Sequence, residues 1–164
     1  MEGIGKDSPN IKIPEIVVCT AGACDPLHLG HIEHFRKAKS LGTKLIHTLN
    51  TDGDVYRKRG VVFMPLGQRF ELLKAIRYID EVVLCIDDDG TVARTLRFIR
   101  PNIFAKGGDR KPENMPANEL EACKDIGCEI VYGIGDILGS STELLKRFRE
   151  YDGEIKHNPS GDFK

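Results

Sequence analysis

Two histidines stand three residues apart around a glycine, in the segment His28-Leu29-Gly30-His31. An apolar run that indicates a buried strand, residues 16–19, precedes them, and a helical pattern over residues 32–41 follows. The pair therefore lies where a strand passes into a helix, and the N–H groups and dipole of a helix N-terminus favour anions. Imidazoles at this place can donate hydrogen bonds to phosphate oxygens as charge develops. The pattern predicts a site for a nucleoside triphosphate.

The same histidines admit two further interpretations. An isolated His-x-x-His is often a pair of surface side chains, or includes a core histidine satisfied by the backbone. With His34 the histidines repeat every three residues, and His31 and His34 would share a helix face, as metal ligands could. However, no cysteine or carboxylate completes a four-ligand set, and Gly30 has no role in a zinc site, so we predict no metal ligands.

A basic run, Arg57-Lys58-Arg59, follows the second predicted strand. Such a run is either a solvated loop or a mobile loop that closes over a triphosphate and neutralises it. Arg69 lies near the start of the next predicted helix, from which its side chain could face the same site.

Two glycine-containing segments complete the candidate site. Lys106-Gly107-Gly108-Asp109 directly follows the fourth predicted strand. It is either a plain turn or a lysine that reaches phosphates, with glycines that let base or ribose approach and Asp109 positioning a hydroxyl. Gly139-Ser140-Ser141-Thr142 precedes the last predicted helix, where a hydroxyl can cap the helix and bind phosphate.

Apolar runs alternate with helical patterns along most of the chain, and these elements would position the motifs. The predicted strands are residues 16–20, 45–49, 81–86, 103–105 and 129–132. The predicted helices are residues 31–41, 66–78, 91–99, 118–126 and 141–148. Five β-α repeats predict an α/β fold with a doubly wound, five-stranded parallel sheet. Because ligands bind at the carboxyl ends of such strands, the sheet would gather the motifs at one edge.

Size and composition bound the class of protein. A length of 164 residues suffices for one domain with a real core, and we predict a flexible arm at residues 1–14, a folded domain at 15–150 and a polar tail at 151–164. The formal net charge of −1 gives no preference for nucleic acid or an anionic membrane. No segment resembles a membrane span or signal peptide, so we expect a cytoplasmic protein. The five cysteines form no C-x-x-C pair and are predicted to be reduced packing thiols.

The segment Gly22-Ala23-Cys24-Asp25-Pro26-Leu27-His28-Leu29-Gly30-His31 resembles the G-x-x-D-x-x-H-x-G-H signature of the cytidylyltransferase-like nucleotidyltransferases. The likeness runs from about Glu15 to Glu150, and several further motifs match in order. It implies a Rossmann-like nucleotidyltransferase fold. It also implies transfer of a nucleoside monophosphate from a nucleoside triphosphate to a small phosphorylated acceptor, with release of pyrophosphate.

The resemblance also implies roles for individual residues. His28 and His31 would be catalytic donors to the triphosphate, and Lys58 or Arg59 would close over it. The residues that would hold nucleotide or acceptor are Gly22, Ala23, Cys24, Asp25, Gly30, Arg69, Lys106, Gly107, Asp109, Ser140, Ser141 and Thr142. Mg²⁺ would be bound chiefly by the phosphates, without a dedicated carboxylate cage. Members of the family are commonly homodimers, which we therefore expect here.

Two branches of the family compete. The segments 50–52, 65–69 and 106–109 resemble the adenylyltransferase part of ADP-heptose synthase, whereas residues 76–82 resemble glycerol-3-phosphate cytidylyltransferase. The second branch carries an Arg-Thr-Glu-Gly run where this chain has Gly135-Asp136-Ile137-Leu138. The missing arginine favours ATP over CTP, with an acceptor such as heptose 1-phosphate rather than glycerol 3-phosphate or a similar polyol phosphate. The sequence is also compatible with an FMN adenylyltransferase and with a non-catalytic nucleotide-binding sensor.

The chain departs from the family in two places. Cys24 stands where the family has Phe, so the floor of the pocket differs, although the backbone N–H groups of Ala23 and Cys24 would still serve the phosphates. The segment 57–65 is slightly shorter than in the heptose branch, which leaves open whether Lys58 or Arg59 is the closing cation.

Overall fold

In the described part of the chain, five strands form one parallel sheet in the order β3-β2-β1-β4-β5. The computed structural model describes residues 14–108, 110–136 and 138–151. The strands are β1 (Val17–Gly22), β2 (Lys44–Leu49), β3 (Glu81–Leu84), β4 (Ile103–Ala105) and β5 (Glu129–Val131). Because β1 pairs in parallel with both β2 and β4, the order reverses between β1 and β4. This confirms the predicted doubly wound, five-stranded α/β fold and places the ligand-binding switch point at the carboxyl ends of these two strands.

Six α-helices connect and cover the strands in the described part of the chain. They are α1 (Leu29–Lys39), α2 (Asp52–Arg59), α3 (Leu66–Lys74), α4 (Ala93–Ile99), α5 (Ala117–Ile126) and α6 (Ser141–Arg149). None of the described helices has the length and apolar character that crossing a membrane requires. The predicted arm and tail fall almost wholly outside the described residues, as does Asp109.

The expectation that residues 57–59 form a loop is wrong, because they are the last turn of α2. This helix begins with a capping box: Asp54 N–H donates to Thr51 Oγ1 at 3.2 Å, and Thr51 N–H donates to the Asp54 carboxylate at 3.1 Å. It ends at Gly60, whose φ of 73° lies in the left-handed region that favours glycine. The basic residues are therefore carried on a helix rather than on a mobile loop.

The predicted helix over residues 66–78 ends earlier, at Lys74. The chain then passes through turns in which Ile76 N–H donates to Leu73 O and Ile79 N–H donates to Ile76 O. Ile76 and Tyr78 still pack against the same core cluster as Leu73. Ile76 and Tyr78 are therefore partly buried although they lie in turns. Apolar periodicity alone does not distinguish such residues from those of a helix.

The core has two halves, one on each face of the sheet. Neighbouring β1 residues point to opposite faces: Val18 packs with Phe35 of α1 and Leu73 of α3, whereas Cys19 packs with Leu96 of α4. All five cysteines are buried free thiols. The sheet is thus held on both sides, which fixes the carboxyl ends of β1 and β4 relative to one another.

Candidate active site

A cavity with two adjoining lobes opens at the carboxyl edge of the sheet. The first lobe, of about 380 Å³, lies between the start of α1, the end of β4 and the start of α6. The second lobe, of about 570 Å³, lies between the end of β1, α2 and residues 89–92. Five residues line both lobes: Ala21, His31, Arg59, Lys106 and Arg110. The cavity thus lies at the switch point of the sheet, as the position of the motifs predicted.

The histidine pair lies at the start of α1. His28 is the N-cap residue, and its backbone N–H donates to His31 Nδ1 at 3.2 Å. The two rings are stacked at an angle, with centroids 3.8 Å apart. His28 Nδ1 is buried and has no hydrogen-bond partner among the described residues. Because a buried polar atom normally has a partner, this nitrogen, packed beside Gly30 and Gly139, is an exception.

The close approach of His28 to α1 requires Gly30. A Cβ at this position would lie 3.0 Å from both Cε1 and Nδ1 of His28 and 3.4 Å from the backbone nitrogen of Gly139. Any larger residue would therefore displace the imidazole or separate α1 from the segment before α6.

Both imidazoles are neutral in the free protein at ordinary pH. Burial lowers the pKa of His31 to about 3, and the nearby His28, His34 and Arg59 add to the effect. Burial also lowers the pKa of His28. Since His31 Nδ1 accepts the backbone hydrogen bond, the neutral ring carries its proton on Nε2 and is a hydrogen-bond donor beside both lobes.

His34 is bound to the backbone, because its Nδ1 donates to Ile134 O at 2.6 Å. It lines the first lobe beside His28 and His31. Among the described residues no group of three or more His, Cys, Asp or Glu side chains has an arrangement that could hold a metal ion. The contact of His34 with Ile134 instead holds the segment before α6 against α1.

Arg69 does not have the ligand-holding role that we predicted. Its side chain has no exposed surface and lines neither lobe. The guanidinium donates to Ala23 O at 2.8 Å, to Asn50 O and Met64 O at 2.9 Å each, and to the Asp52 carboxylate at 2.5 Å. It therefore fixes the loops that follow β1 and β2 rather than offering a donor to a ligand.

Asp25 is likewise a structural residue in this arrangement. It is fully buried, and its carboxylate accepts hydrogen bonds from the backbone N–H groups of Phe63, at 2.9 Å, and Met64, at 2.6 Å. Its backbone carbonyl accepts a hydrogen bond from Arg59. The motif aspartate thus ties the loop after β1 to the segment after α2 and positions the Arg59 guanidinium.

Cys24, the departure from the family signature, contacts a buried histidine that sequence reasoning missed. Cys24 Sγ lies 3.6 Å from His47 Nε2, and His47 Nδ1 lies 2.9 Å from Thr20 Oγ1. The backbone of Cys24 has a φ of 50°, which is uncommon for a residue with a side chain. Burial raises the pKa of Cys24 to about 12 and lowers that of His47 to about 3, so both groups are neutral. They form a polar support under the second lobe.

Five cationic residues are among the described residues that line the two lobes. Arg59 lines both lobes, whereas Arg57 and Lys58 line only the second. Lys106 Nζ lies 3.4 Å from the Glu119 carboxylate and 4.4 Å from the centre of the Phe104 ring, and burial lowers its pKa, against the opposing effect of Glu119. Arg110, which sequence reasoning did not single out, completes the group.

The three hydroxyl residues 140–142, at the start of α6, line two different hollows. Ser140 caps the helix by accepting from Glu143 N–H at 3.4 Å, and Ser141 Oγ donates to Pro26 O at 2.8 Å. Both residues line the first lobe, together with Gly107. Thr142 lines neither lobe, contrary to the prediction, and faces a separate groove between α2 and α6.

The predicted residues are therefore largely brought together. The first lobe contains His28, Gly30, His31, Arg59, Lys106, Gly107, Ser140 and Ser141. The second lobe contains Gly22, Ala23, Cys24, His31, Lys58, Arg59 and Lys106. Neutral imidazoles, hydroxyls and cations converge where the lobes meet, an arrangement suited to binding phosphate groups and stabilising charge that develops on them.

Curated proteins resemble this chain in sequence over most of its length. The chain is 38% identical over 133 residues to the bifunctional protein HldE of Coxiella burnetii, an alignment that covers 80% of this chain and 27% of that protein. It is 34% identical over 141 residues to the bifunctional protein HldE of Citrobacter koseri, with 85% and 29% covered. The chain thus spans less than a third of the length of these relatives.

Two solved structures resemble the fold of this chain. The lipopolysaccharide core biosynthesis protein from Thermoplasma volcanium superposes with a TM-score of 0.62 at 25% identity, covering 75% of this chain and 99% of that one. The NadR protein in complex with NAD and AMP-PNP superposes with a TM-score of 0.52 at 18% identity, covering 84% and 44%. The second likeness concerns the fold alone.

A family model described as cytidylyltransferase-like matches residues 19–144, which include both lobes and every described site residue. This match confirms the resemblance drawn from the signature around His28 and His31. The chain therefore belongs to the cytidylyltransferase-like family of nucleotidyltransferases.

Proposed function

We propose that this protein transfers adenylate from ATP to a small phosphorylated acceptor, a sugar phosphate such as heptose 1-phosphate, with release of pyrophosphate. The observation that carries the proposal is the position of His31. His31 belongs to the wall that the two lobes share, together with Arg59 and Lys106, and its neutral ring carries a donor proton on Nε2. A triphosphate in one lobe and an acceptor phosphate in the other would meet at this wall.

The nucleotide fits the first lobe, where α1 and α6 both begin. The polar residues His28, Ser140 and Ser141 line this lobe, and the glycines at 107 and 108 allow close approach. The acceptor phosphate fits the second lobe, near Lys58. An oxygen of the acceptor phosphate would attack the α-phosphorus, and the bond from that phosphorus to the oxygen bridging to the β-phosphorus would break. Catalysis then consists of positioning and charge stabilisation, with no covalent intermediate on the protein.

The choice of ATP and of a sugar phosphate is supported by relatives rather than by a contact in the site. The HldE proteins and the lipopolysaccharide core biosynthesis protein are the relatives of higher identity described above. The segment at 135–138 lacks the arginine found in the cytidylyltransferase branch. Both observations favour the adenylyltransferase branch.

A magnesium ion would be held chiefly by the phosphates. The three carboxylates that line the second lobe have other partners. Asp54 binds Thr51 and Arg57, Asp89 binds Thr91 and Asn118, and Glu119 binds Val92 N–H and Lys106. The residues present therefore fit an Mg²⁺–nucleotide complex better than an ion bound by the protein alone. When bound, the ion would offset charge on the β- and γ-phosphates.

The test is pyrophosphate release with ATP and with CTP. Each nucleotide is combined with a panel of heptose 1-phosphate, other sugar 1-phosphates, glycerol 3-phosphate and FMN, with and without EDTA. Turnover with ATP and a sugar phosphate, abolished by EDTA and restored by Mg²⁺, is expected. Turnover only with CTP or only with FMN would contradict the proposal in favour of another branch. Nucleotide binding without turnover on the whole panel would favour a non-catalytic sensor.

A further inference from the structure

A third hollow, of about 460 Å³, lies between α2 and α6 and is called the α2–α6 groove here. It is lined by Lys58, Arg59, Val61, Thr142, Leu145, Lys146 and Arg149. Four of these seven residues are cationic, and no carboxylate is among the described residues that line the groove. The concentration of charge contrasts with the net charge of −1 of the whole chain.

Packing fixes the shape of the groove. Val61 and Leu145 give it an apolar floor. The rings of Phe63 and Phe148 meet edge to face with centroids 5.9 Å apart, and this contact joins α6 to the segment after α2. The hydrogen bond from Ser141 Oγ to Pro26 O anchors the other end of α6. The four cations are therefore brought together by the fold.

The ion pair of Lys146 compensates its charge only weakly. Lys146 lies 3.9 Å from Glu150, at the limit of an ion pair, and both side chains are 66% exposed, so water screens the contact. Arg59 donates to Asp25 O, which is a neutral carbonyl. Four positively charged residues on the lining of one groove create a local potential that attracts a multivalent anion. The neighbouring Arg147 differs, because it pairs with Glu143 at 3.2 Å and lines no part of the groove.

The groove adjoins the active-site cavity. Arg59 lines the groove and both lobes, and Thr142 in the groove directly follows Ser141 in the first lobe. From Thr142 to Arg149 the groove follows α6 for about 10 Å, at 1.5 Å per residue, which is room for an anion with two phosphate groups. A phosphate chain that left the first lobe past Arg59 would enter the groove.

We propose that the α2–α6 groove is a binding site for condensed phosphate that receives the pyrophosphate leaving group. This inference rests on the proposed function. In the reaction, the acceptor oxygen forms its bond to the α-phosphorus while the bond to the bridging oxygen breaks, and pyrophosphate departs with that electron pair. Lys146 and Arg149 then bind the departing anion beyond the position that the triphosphate occupies.

The experiment compares a groove variant with a matched control. The groove variant is Lys146→Gln/Arg149→Gln, and the control is Arg147→Gln on the same helix. Isothermal titration calorimetry measures the affinity of each purified full chain for sodium pyrophosphate and, separately, for α,β-methylene-ATP. Because the substituted side chains are exposed, we expect unchanged circular dichroism spectra and melting temperatures.

We expect the groove variant to lose about tenfold or more in pyrophosphate affinity, since two charge-assisted contacts are removed. The control should stay within about twofold, and the affinity for α,β-methylene-ATP should stay within about threefold in both variants. Equal pyrophosphate affinity in all proteins would overturn the inference. So would an equal loss in the control, or a parallel loss of nucleotide affinity, which would assign these cations to the nucleotide site.

Failure of the groove inference can be distinguished from failure of the proposed function. Pyrophosphate binding is measured without an acceptor and without turnover, so the groove can fail while the chain proves to be an active adenylyltransferase. Conversely, a chain without turnover on any nucleotide and acceptor pair would refute the proposed function whatever the calorimetry shows. If the wild-type chain binds α,β-methylene-ATP but not pyrophosphate, the groove inference alone is refuted.

Discussion

His31 owes its proposed role to one hydrogen bond and to burial. The backbone N–H of His28 occupies Nδ1, which leaves the proton on Nε2. Burial lowers the pKa of the ring to about 3, so the free protein presents a neutral donor rather than a cation. A neutral donor leaves the cationic side chains to bind the ground-state triphosphate, while the imidazole contributes most as negative charge develops.

The substitution His31→Ala tests this role. We expect kcat/KM to fall by roughly 10²–10³, the range for loss of one transition-state donor. The variant should stay folded and lose about 1 kcal/mol of stability, because the hydrogen bond from His28 N–H is removed. The measurement is steady-state pyrophosphate release with the best substrate pair. Near-normal turnover in a folded variant would exclude His31 from catalysis.

The buried imidazole of His47 should make stability depend on pH. Its pKa is about 3 in the folded protein and about 6.5 in an unfolded chain. Above pH 6.5 neither state is protonated, so the full stability is present. As the pH falls from 6.5 towards 3, only the unfolded state gains a proton, and the free energy of unfolding falls by about 1.4 kcal/mol per pH unit for each such group. His31 adds to the same slope.

The variant His47→Gln isolates this contribution. Urea unfolding at a series of pH values between 3.5 and 7.5 gives the slope for wild type and variant. We expect a shallower slope in the variant by about one proton, even though its stability at pH 7.5 is lower because of the altered packing. Parallel pH profiles would show that the imidazole is protonated in the folded state.

The role of an individual site residue could be predicted from the sequence only where the residue belongs to a recognisable motif. His28, His31 and Gly30 stand in a recognisable signature, and the structure places all three around one cavity. His47 was missed because a lone histidine within an apolar strand has no motif. Arg69 was assigned to a ligand because sequence does not show burial; its partners are backbone carbonyls, which no side-chain pattern reveals.

At the scale of elements, periodicity identified the strands well and the helix ends less well. The limits of β4 were predicted to the residue, since a short apolar run between a proline and a glycine pair has little latitude. The helix α2 was missed because its residues are strongly polar and give no apolar stripe. Its signal is the capping pair of Thr51 and Asp54, three residues apart.

The loops that follow β1 and β2 depend on the α3 residue Arg69. Replacement by Met keeps much of the side-chain volume but leaves the carbonyls of Ala23, Asn50 and Met64 without this donor. We expect the free energy of unfolding to fall by about 3 kcal/mol. Activity should fall as well, because the loop after β1 lines the second lobe.

The matched control for Arg69→Met is Lys74→Met on the same helix. Lys74 is half exposed and its pair with Glu71 is 3.4 Å long, so we expect a change within about 0.5 kcal/mol. Chemical denaturation measures both variants. Equal effects of the two substitutions would show that Arg69 does not organise these loops.

At the scale of the molecule, strand order explains why distant segments meet. The alternation of elements predicted that all motifs would lie at one edge, and the reversal between β1 and β4 brings the signature next to the segment that begins at Lys106. The division into two lobes and the α2–α6 groove were not predictable, because both depend on how helices pack over the sheet. No local sequence pattern encodes the positions of those helices relative to the sheet.

We expect Lys106 to contribute both to the stability of the fold and to catalysis. The side chains of Lys106 and Glu119 are 12% and 6% exposed and lie 3.4 Å apart, while the lysine also lines both lobes. The change Lys106→Met removes the cation and leaves a buried carboxylate without that partner. We expect a loss of about 2 kcal/mol in stability and of about 10²-fold in kcat/KM.

A second substitution separates the two effects. In Lys106→Met/Glu119→Gln the buried carboxylate is gone, and the amide oxygen can still accept the hydrogen bond from Val92 N–H. Stability should therefore recover towards that of the wild type, whereas activity should remain low because the cation between the lobes is still absent. Urea unfolding and pyrophosphate release are measured on the same preparations. Recovery of activity together with stability would show that Lys106 supports the fold and takes no part in phosphate binding.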